Sequence, residues 1–369
     1  MSSLTNENGT YLLFPYILFR KTLCLLCLHN IPFHTDPMMQ THHFLCALLC
    51  LSVVLPSAGE LCHPDDKKAL LEIKNHFDNA YVFASWSPDT DCCTSWYIVK
   101  CNETTNRVVS LELFMGGLPP SQIPPAIGDL PYLRILTLHK QPNLTGPIPP
   151  AIARLTNLEY LTLTWNNLTG PIPSFLSKLQ KLIFLQLSFN NLSGSIPSSL
   201  SNLRNLAAIS LDRNKLTGTI PDSLSAIKGN SLYLQLSHND LIGKIPESFK
   251  DVDFGQVDVS RNKLEGDIFM FFGGNKSTQI LDFSRNQFQF DMSRLEVYPR
   301  LAYLNVNHNK IYGSIPDEMT RLPELRGLNV SYNRLCGRIP VGGQMQSFDY
   351  TTYFHNRCLC GAPLNVTCK

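Results

Sequence analysis

The sequence has no dominant charge. Its 31 Lys and Arg nearly balance 29 Asp and Glu, leaving a formal charge of +2, so nothing in it points to a nucleic-acid partner. It has no G-x-S-x-G, no glycine-rich phosphate loop and no metal-ligand spacing, which removes the usual starting points for an enzyme. No catalysis, metal or cofactor is expected. It also has no apolar run of membrane length beyond residue 55. What it does have at the front is two apolar stretches, at 11–28 and 44–55, the second followed by "PSAGELC". Ser57 and Gly59 suit the −3 and −1 positions for signal-peptide cleavage before Glu60. Residues 1–59 therefore read as a leader, with Met39 able to start a compact signal peptide by itself. A signal anchor is the alternative. The mature chain is expected to be secreted, with no membrane span.

The twelve cysteines sort by position. Cys24, Cys27, Cys46 and Cys50 leave with the leader. The other eight form two groups at the ends of an exported chain, which favours disulfides over zinc. Each group of four allows three pairings. The favoured ones are Cys62–Cys92 with Cys93–Cys101, and Cys336–Cys358 with Cys360–Cys368, giving each end one long and one short loop. N-x-[ST] sequons make Asn102, Asn143, Asn167, Asn191, Asn275 and Asn365 glycosylation candidates. A seventh, Asn329, is expected to lie in a strand on a concave face, where a glycan would obstruct docking; sparse occupancy is expected there.

Between 107 and 345 the chain repeats every 23–25 residues, ten times, as L-x-x-L-x-L-x-x-N-x-L-x-G-x-I-P. This is the leucine-rich-repeat signature. In "LEYLTLTWNNL", Leu161 and Leu163 alternate with Tyr160, Thr162 and Thr164, the period of a strand with one face inward. The Asn that follows (Asn166, Asn190, Asn214, Asn239, Asn262, Asn286, Asn309, Asn333) suits bonding of backbone groups where the chain leaves the strand. The Gly permits a bend, and Ile-Pro fixes an extended segment leading to a convex-side turn. The predicted fold is an α/β leucine-rich-repeat solenoid: a curved right-handed superhelix with a concave parallel sheet, convex short helices or 3-10 turns, and disulfide-pinned caps. An N-terminal cap at 60–106 contains a helix over 63–77, and a C-terminal cap occupies 346–369. "GDIFMFF" and "FQFDMSRL" lack Ile-Pro and are expected to pack differently on the convex side.

The segments "ELCHPDDKKALLEIKNHF", "DCCTSWYIVKC" and "NRCLCGAPL", together with the ten plant-type repeats, resemble the plant polygalacturonase-inhibiting proteins over essentially all of 60–369. The resemblance implies an extracellular, cell-wall defence protein that binds fungal, or sometimes insect, endopolygalacturonases and has pectin as a second partner. The other readings are a peptide- or hormone-binding receptor-like ectodomain and, as a minor third, an ice-binding relative. The irregular aromatic stripe counts against the last.

The residues just before the ladder Asn form that stripe: Trp165, Phe189, Arg213, His238, Arg261, Arg285, His308 and Tyr332. At about 4.8 Å per rung it runs roughly 30–35 Å, and it reads as a docking face with aromatic and Arg anchors. Outward strand residues Tyr160, Phe184, Gln186, Ser210, Gln235, Asp258, Asp282 and Asn305 complete it. The resemblance implies that Asp212 and Asp258 face the enzyme and that Gln279 stands at a recognition position. It likewise implies that Arg261 and Arg285 belong to a pectin-binding row, in which His238 and Asn307 replace basic residues. Gln186, Ala207, Tyr233 and Arg326 depart from common members and bear on target choice. His238 and His308 are expected to gain charge in an acidic wall. Asp258 and Asp282, on adjacent rungs, mimic a glycosidase pair, but no motif supports hydrolysis.

Overall fold

The computed structural model describes residues 61–227, 231–274 and 276–368. The leader expected at 1–59, its four cysteines and Asn275 lie outside the described residues. The leucine alternation produces the predicted concave sheet. Among the described residues it has eleven strands, starting with Val99–Cys101, antiparallel to Val108–Phe114. Parallel rungs then follow in register from Ile135–His139 through to Gly327–Asn329. Leu161, Leu163, Leu185, Leu187 and their equivalents are fully buried, and stacking alone covers them.

The convex side is built from 3-10 turns. In a typical coil Ile172 is buried, Pro173 caps the turn Ser174–Lys178, and Leu176 closes the core. Where Ile-Pro is missing, the turns shorten to Phe269–Phe271 and Met292–Arg294. Phenylalanines fill the space: Phe271 lies 5.6 Å from Phe254 and 5.1 Å from Phe283, ring centre to ring centre.

A second set of strands was not anticipated from the sequence. The "NLTG"-type segments form a five-stranded sheet from Ser121–Gln122 to Lys215–Thr217, and a three-stranded one from Ile242–Lys244 to Gln287–Phe288. In most of these coils the segment contains a left-handed glycine, such as Gly170 at φ 79°.

The helix Pro64–His76 caps the N-terminal end, buries Leu70 and Ile73, and is N-capped by His63. Trp86 and Trp96 stack beside it at 5.1 Å. Asp66, on the same helix, is fully buried and grips Arg107 through two bonds of 2.9 and 2.6 Å. It also accepts the Val108 N–H at 2.8 Å. Among the described residues four disulfides are present, Cys62–Cys92, Cys93–Cys101, Cys336–Cys358 and Cys360–Cys368. At the C-terminal end the strand Cys336–Arg338 pairs with Cys358–Cys360.

Candidate functional site

The stripe before the ladder Asn lies outside the strands, contrary to the rung-by-rung expectation. Each of its residues takes the left-handed conformation, with φ between 53° and 58° from Trp165 to Tyr332. Non-glycine residues adopt this at a cost of roughly 1–2 kcal/mol, which requires over-determined surroundings. The ladder Asn supplies them. Asn190 Nδ2 donates to the carbonyls of Leu163, Leu187 and Ser188 at 2.6, 3.0 and 3.3 Å. Its Oδ1 accepts the Leu168 N–H at 3.2 Å. The left-handed residue is thereby presented at the rim of the sheet in every coil.

The column is longer than the sequence reading made it. Met115, Lys140 and His355 share the conformation, at φ 62°, 54° and 55°. Lys140 precedes Gln141, which stands in the ladder position and donates to the His139 carbonyl at 3.3 Å. His355 precedes Asn356, whose amide bonds the Val330 and Tyr353 carbonyls. The dipeptides "KQ" and "HN" were the available signal.

Side chains in the column stack on one another. Trp165 and Phe189 lie face to face at 3.6 Å. Lys140 sits over the far face of that pair at 5.9 Å and Arg213 over the near one at 4.9 Å. Stacking thus orients both cations. At the other end Tyr332 is sandwiched between His308, at 4.0 Å, and His355, at 4.4 Å.

A second charged column runs beside the first. Asp258 and Asp282 pair in register on adjacent rungs. Each accepts the N–H two residues on, Ser260 and Ser284, at 2.9 Å. Asp212 accepts the Ser188 hydroxyl. Burial pushes the Asp212 and Asp282 carboxyls above their ordinary values, against the pull of these donors. Among the described residues none of Asp212, Asp258, Asp282, Arg213, Arg261 and Arg285 is in an ion pair. The concave face carries a basic column beside the acid row of Asp258 and Asp282, with Asp212 two residues past that row, and no ion pair joins them among the described residues.

The other expected site residues divide by position. Tyr160 and Phe184 stack at 5.2 Å at the strand starts, in the row that also holds Tyr233 and Tyr303. Gln279 and Arg326 are exposed just before their strands. Gln186 and Gln235 are partly committed, accepting from Thr162 and Ser210 at 3.0 Å. Asn305 lies in the same outward row as Asp258 and Asp282 but is buried there: it donates to Asp282 at 3.0 Å and accepts the Asn307 N–H, so it braces its neighbour on that face. The histidine expectation is corrected in degree. Burial, then Arg213 and Arg261, push His238 below the ordinary imidazole value, and burial with Arg285 and Arg261 does the same to His308.

The sequons at Asn143, Asn167 and Asn191 follow one another along the second sheet. Their amides bond the preceding coil at Leu118 O, Pro142 O and Asn167 Oδ1. Asn102 is exposed in a turn in which its Oδ1 accepts the Thr104 hydroxyl at 2.7 Å. Asn365 is exposed near the C-terminal end, and Asn329 ends its strand, accepting from Ser331.

Comparison with known proteins places this architecture. Residues 63–102 match the leucine-rich-repeat N-terminal domain model, and 157–179, 181–203 and 231–252 match the leucine-rich-repeat model. A polygalacturonase inhibitor of Pyrus communis is 64% identical over 87% of this chain and 96% of its own length. One of Vitis vinifera is 64% identical over 85% and 93%. Among solved structures, a plant ice-binding protein superposes with a TM-score of 0.79 at 47% identity, covering 83% of this chain and 98% of its own. No helix among the described residues is long and apolar enough to cross a membrane. With its cap, its repeats and this extent of identity, the chain belongs to the plant polygalacturonase-inhibitor family of leucine-rich-repeat proteins.

Proposed function

We propose that the chain is a secreted, cell-wall protein that inhibits fungal or insect endopolygalacturonases by docking its concave face over the enzyme. The observation that carries this is the basic column beside an acid row, with no ion pair between them among the described residues, on a chain 64% identical to an inhibitor along nearly all of that protein's length. Charges that pair poorly with each other but stand in fixed columns suit a partner of complementary pattern, which gives orientation and association rate. The inhibitor has no chemistry of its own; it covers or narrows the substrate cleft.

Titration of the recombinant protein into an endopolygalacturonase assay tests this, with loss of reducing-end release as the expected result. Inactivity against a broad enzyme panel, together with affinity for a receptor ectodomain, would replace the reading by the receptor-like alternative. Within the site, Phe189→Ala removes the plate between Trp165 and Arg213. We expect it to weaken inhibition by roughly 30-fold, the loss of about 2 kcal/mol of a hot-spot residue, with little change in melting temperature. An unchanged inhibition constant would take the column out of the interface.

Pectin binding is assigned to Arg261, Arg285 and His238, in the same column. The sign of its pH dependence follows from the histidine shifts. His238 and His308 are both held below the ordinary imidazole value, by burial first and then by neighbouring arginines. Affinity for polygalacturonate therefore rises as pH falls, and does so at lower pH than free imidazoles would give. The folded chain takes up these protons later than the unfolded chain, so the same groups cost stability as pH falls through that range. Polygalacturonate binding of wild type and of His238→Ala/His308→Ala, measured from pH 7.5 to 4.5, checks this. Equal pH profiles for the two proteins would contradict it.

A further inference from the structure

The first outward row of the concave sheet contains two opposite arrangements. At Tyr160 and Phe184, both paired positions are aromatic and the rings stack side by side. At Tyr303, the paired position on the next rung is Gly327. A Cβ built on Gly327 would lie 2.3 Å from Tyr303 Cδ2 and 2.7 Å from Cε2. The Tyr303 ring occupies the volume a side chain would need, and any other residue at 327 would push it away. The backbone at 327 is an ordinary strand with no positive φ, so local conformation does not explain the glycine.

The ring that settles there has acidic neighbours on one side: Asp282 stands diagonal to it on the preceding rung and Asp258 one rung beyond. Burial, then the charge of Asp282, push the Tyr303 hydroxyl above the ordinary phenol value. Asp258 spends one oxygen on the Ser260 N–H and Asp282 uses both, on Ser284 and Asn305; among the described residues neither has a cation within pairing distance. Arg261 and Arg285 stand in the left-handed column, past the buried Ser260 and Ser284. Tyr303 remains 37% exposed. An aromatic ring with carboxylates beside it favours a cation, through its quadrupole and through the acids together. A neutral occupant would close two carboxylates into an interface without a counter-charge, which is costly.

We infer that Tyr303, seated on Gly327, with Asp282 diagonal to it on the preceding rung and Asp258 one rung beyond, is a specificity-determining notch that receives a lysine or arginine side chain of the target polygalacturonase. The inference rests on the proposed inhibitor function and adds the chemistry of one contact to it. Gly327 acts through Tyr303, as a positioning residue.

The test uses the full secreted chain and one endopolygalacturonase that the wild type inhibits. Tyr303→Ala and Gly327→Ala are each expected to raise the inhibition constant at least tenfold while melting temperatures stay within the wild-type range. Tyr303→Phe, which keeps the ring, should retain most of the potency. The double variant should be no worse than the worse single one, because both remove the same contact. Neutralising the enzyme's surface Lys and Arg one at a time should reveal one residue whose loss makes the enzyme indifferent to Tyr303→Ala and to Asp282→Asn. Potency within twofold of wild type for both Tyr303→Ala and Gly327→Ala overturns the notch while leaving inhibition standing. Weakened variants with no coupled basic residue overturn the cationic occupant. A wild type that inhibits no enzyme of the panel overturns the function itself and the notch with it.

Discussion

Replacing Asp66 by alanine will destabilise the folded chain by about 3–5 kcal/mol, the range for removing one partner of a buried ion pair. Asp66 is fully buried, and the Arg107 side chain is only 14% exposed. The carboxylate takes both guanidinium bonds and the Val108 N–H. Without it a guanidinium and a backbone N–H are left in a poorly solvated seam with nothing to accept from them. The position multiplies the effect. Asp66 lies on the capping helix, whereas Arg107 and Val108 open the first parallel strand. The pair is therefore the polar joint between cap and stack, and a stack whose end coil is uncovered frays inward. Urea unfolding followed by circular dichroism should show a lower midpoint and, if the cap separates first, a broadened transition. Asp66→Asn should fall between, since its amide oxygen still accepts but carries no charge. An unchanged midpoint for Asp66→Ala would mean that the disulfides Cys62–Cys92 and Cys93–Cys101 hold the cap unaided.

That joint shows where the sequence was readable and where it was not. The repeat was legible because each coil writes its core in the same letters: Leu161 and Leu185 occupy equivalent inward sites, and their spacing alone implies the sheet. The capping helix was legible from its apolar face, but the burial of Asp66 was not, because its partner lies 41 residues away. The second sheet was hidden because "NLTG" reads as a turn; its strands are short and held by neighbouring coils rather than by their own alternation. The left-handed stripe was hidden for a related reason. Trp, Phe and Arg carry no propensity for positive φ, and the Asn ladder behind them imposes it. Outward position was inferred correctly for Asp258 and Arg261, but exposure was not inferable for Asn305. Its burial depends on Asp282 on the previous rung, and the contents of neighbouring rungs combine freely. The seat of Tyr303 on Gly327 was invisible for the same reason. A glycine in a strand signals close approach without saying by which residue.

The ladder itself gives the second large effect. Asn190→Ala will cost about 2–6 kcal/mol, from about 1–3 kcal/mol for each of two buried backbone groups left without this partner. The groups are the Leu163 carbonyl and the Leu168 N–H, both in the preceding coil. Leu187 O and Ser188 O suffer less, since they also accept from Asn214 Nδ2 and the Trp165 N–H. Asn190→Asp is nearly isosteric and separates geometry from donation. It keeps the oxygen that accepts Leu168 N–H but turns the amide nitrogen into an oxygen. That oxygen faces three carbonyls at 2.6, 3.0 and 3.3 Å. At neutral pH the buried carboxylate repels all three, so this variant should be at least as unstable as the alanine one. Its carboxyl pKa in the folded state must then be raised. A raised pKa means that the folded chain binds the proton first, so this variant gains stability as pH falls through that value. Once protonated, its O–H can donate to one carbonyl. Melting temperatures from pH 7 to 4 should therefore climb for Asn190→Asp relative to Asn190→Ala measured in the same buffers. Parallel curves would mean that the ladder works by filling space and not by donating to the carbonyls that hold Phe189 in its left-handed turn.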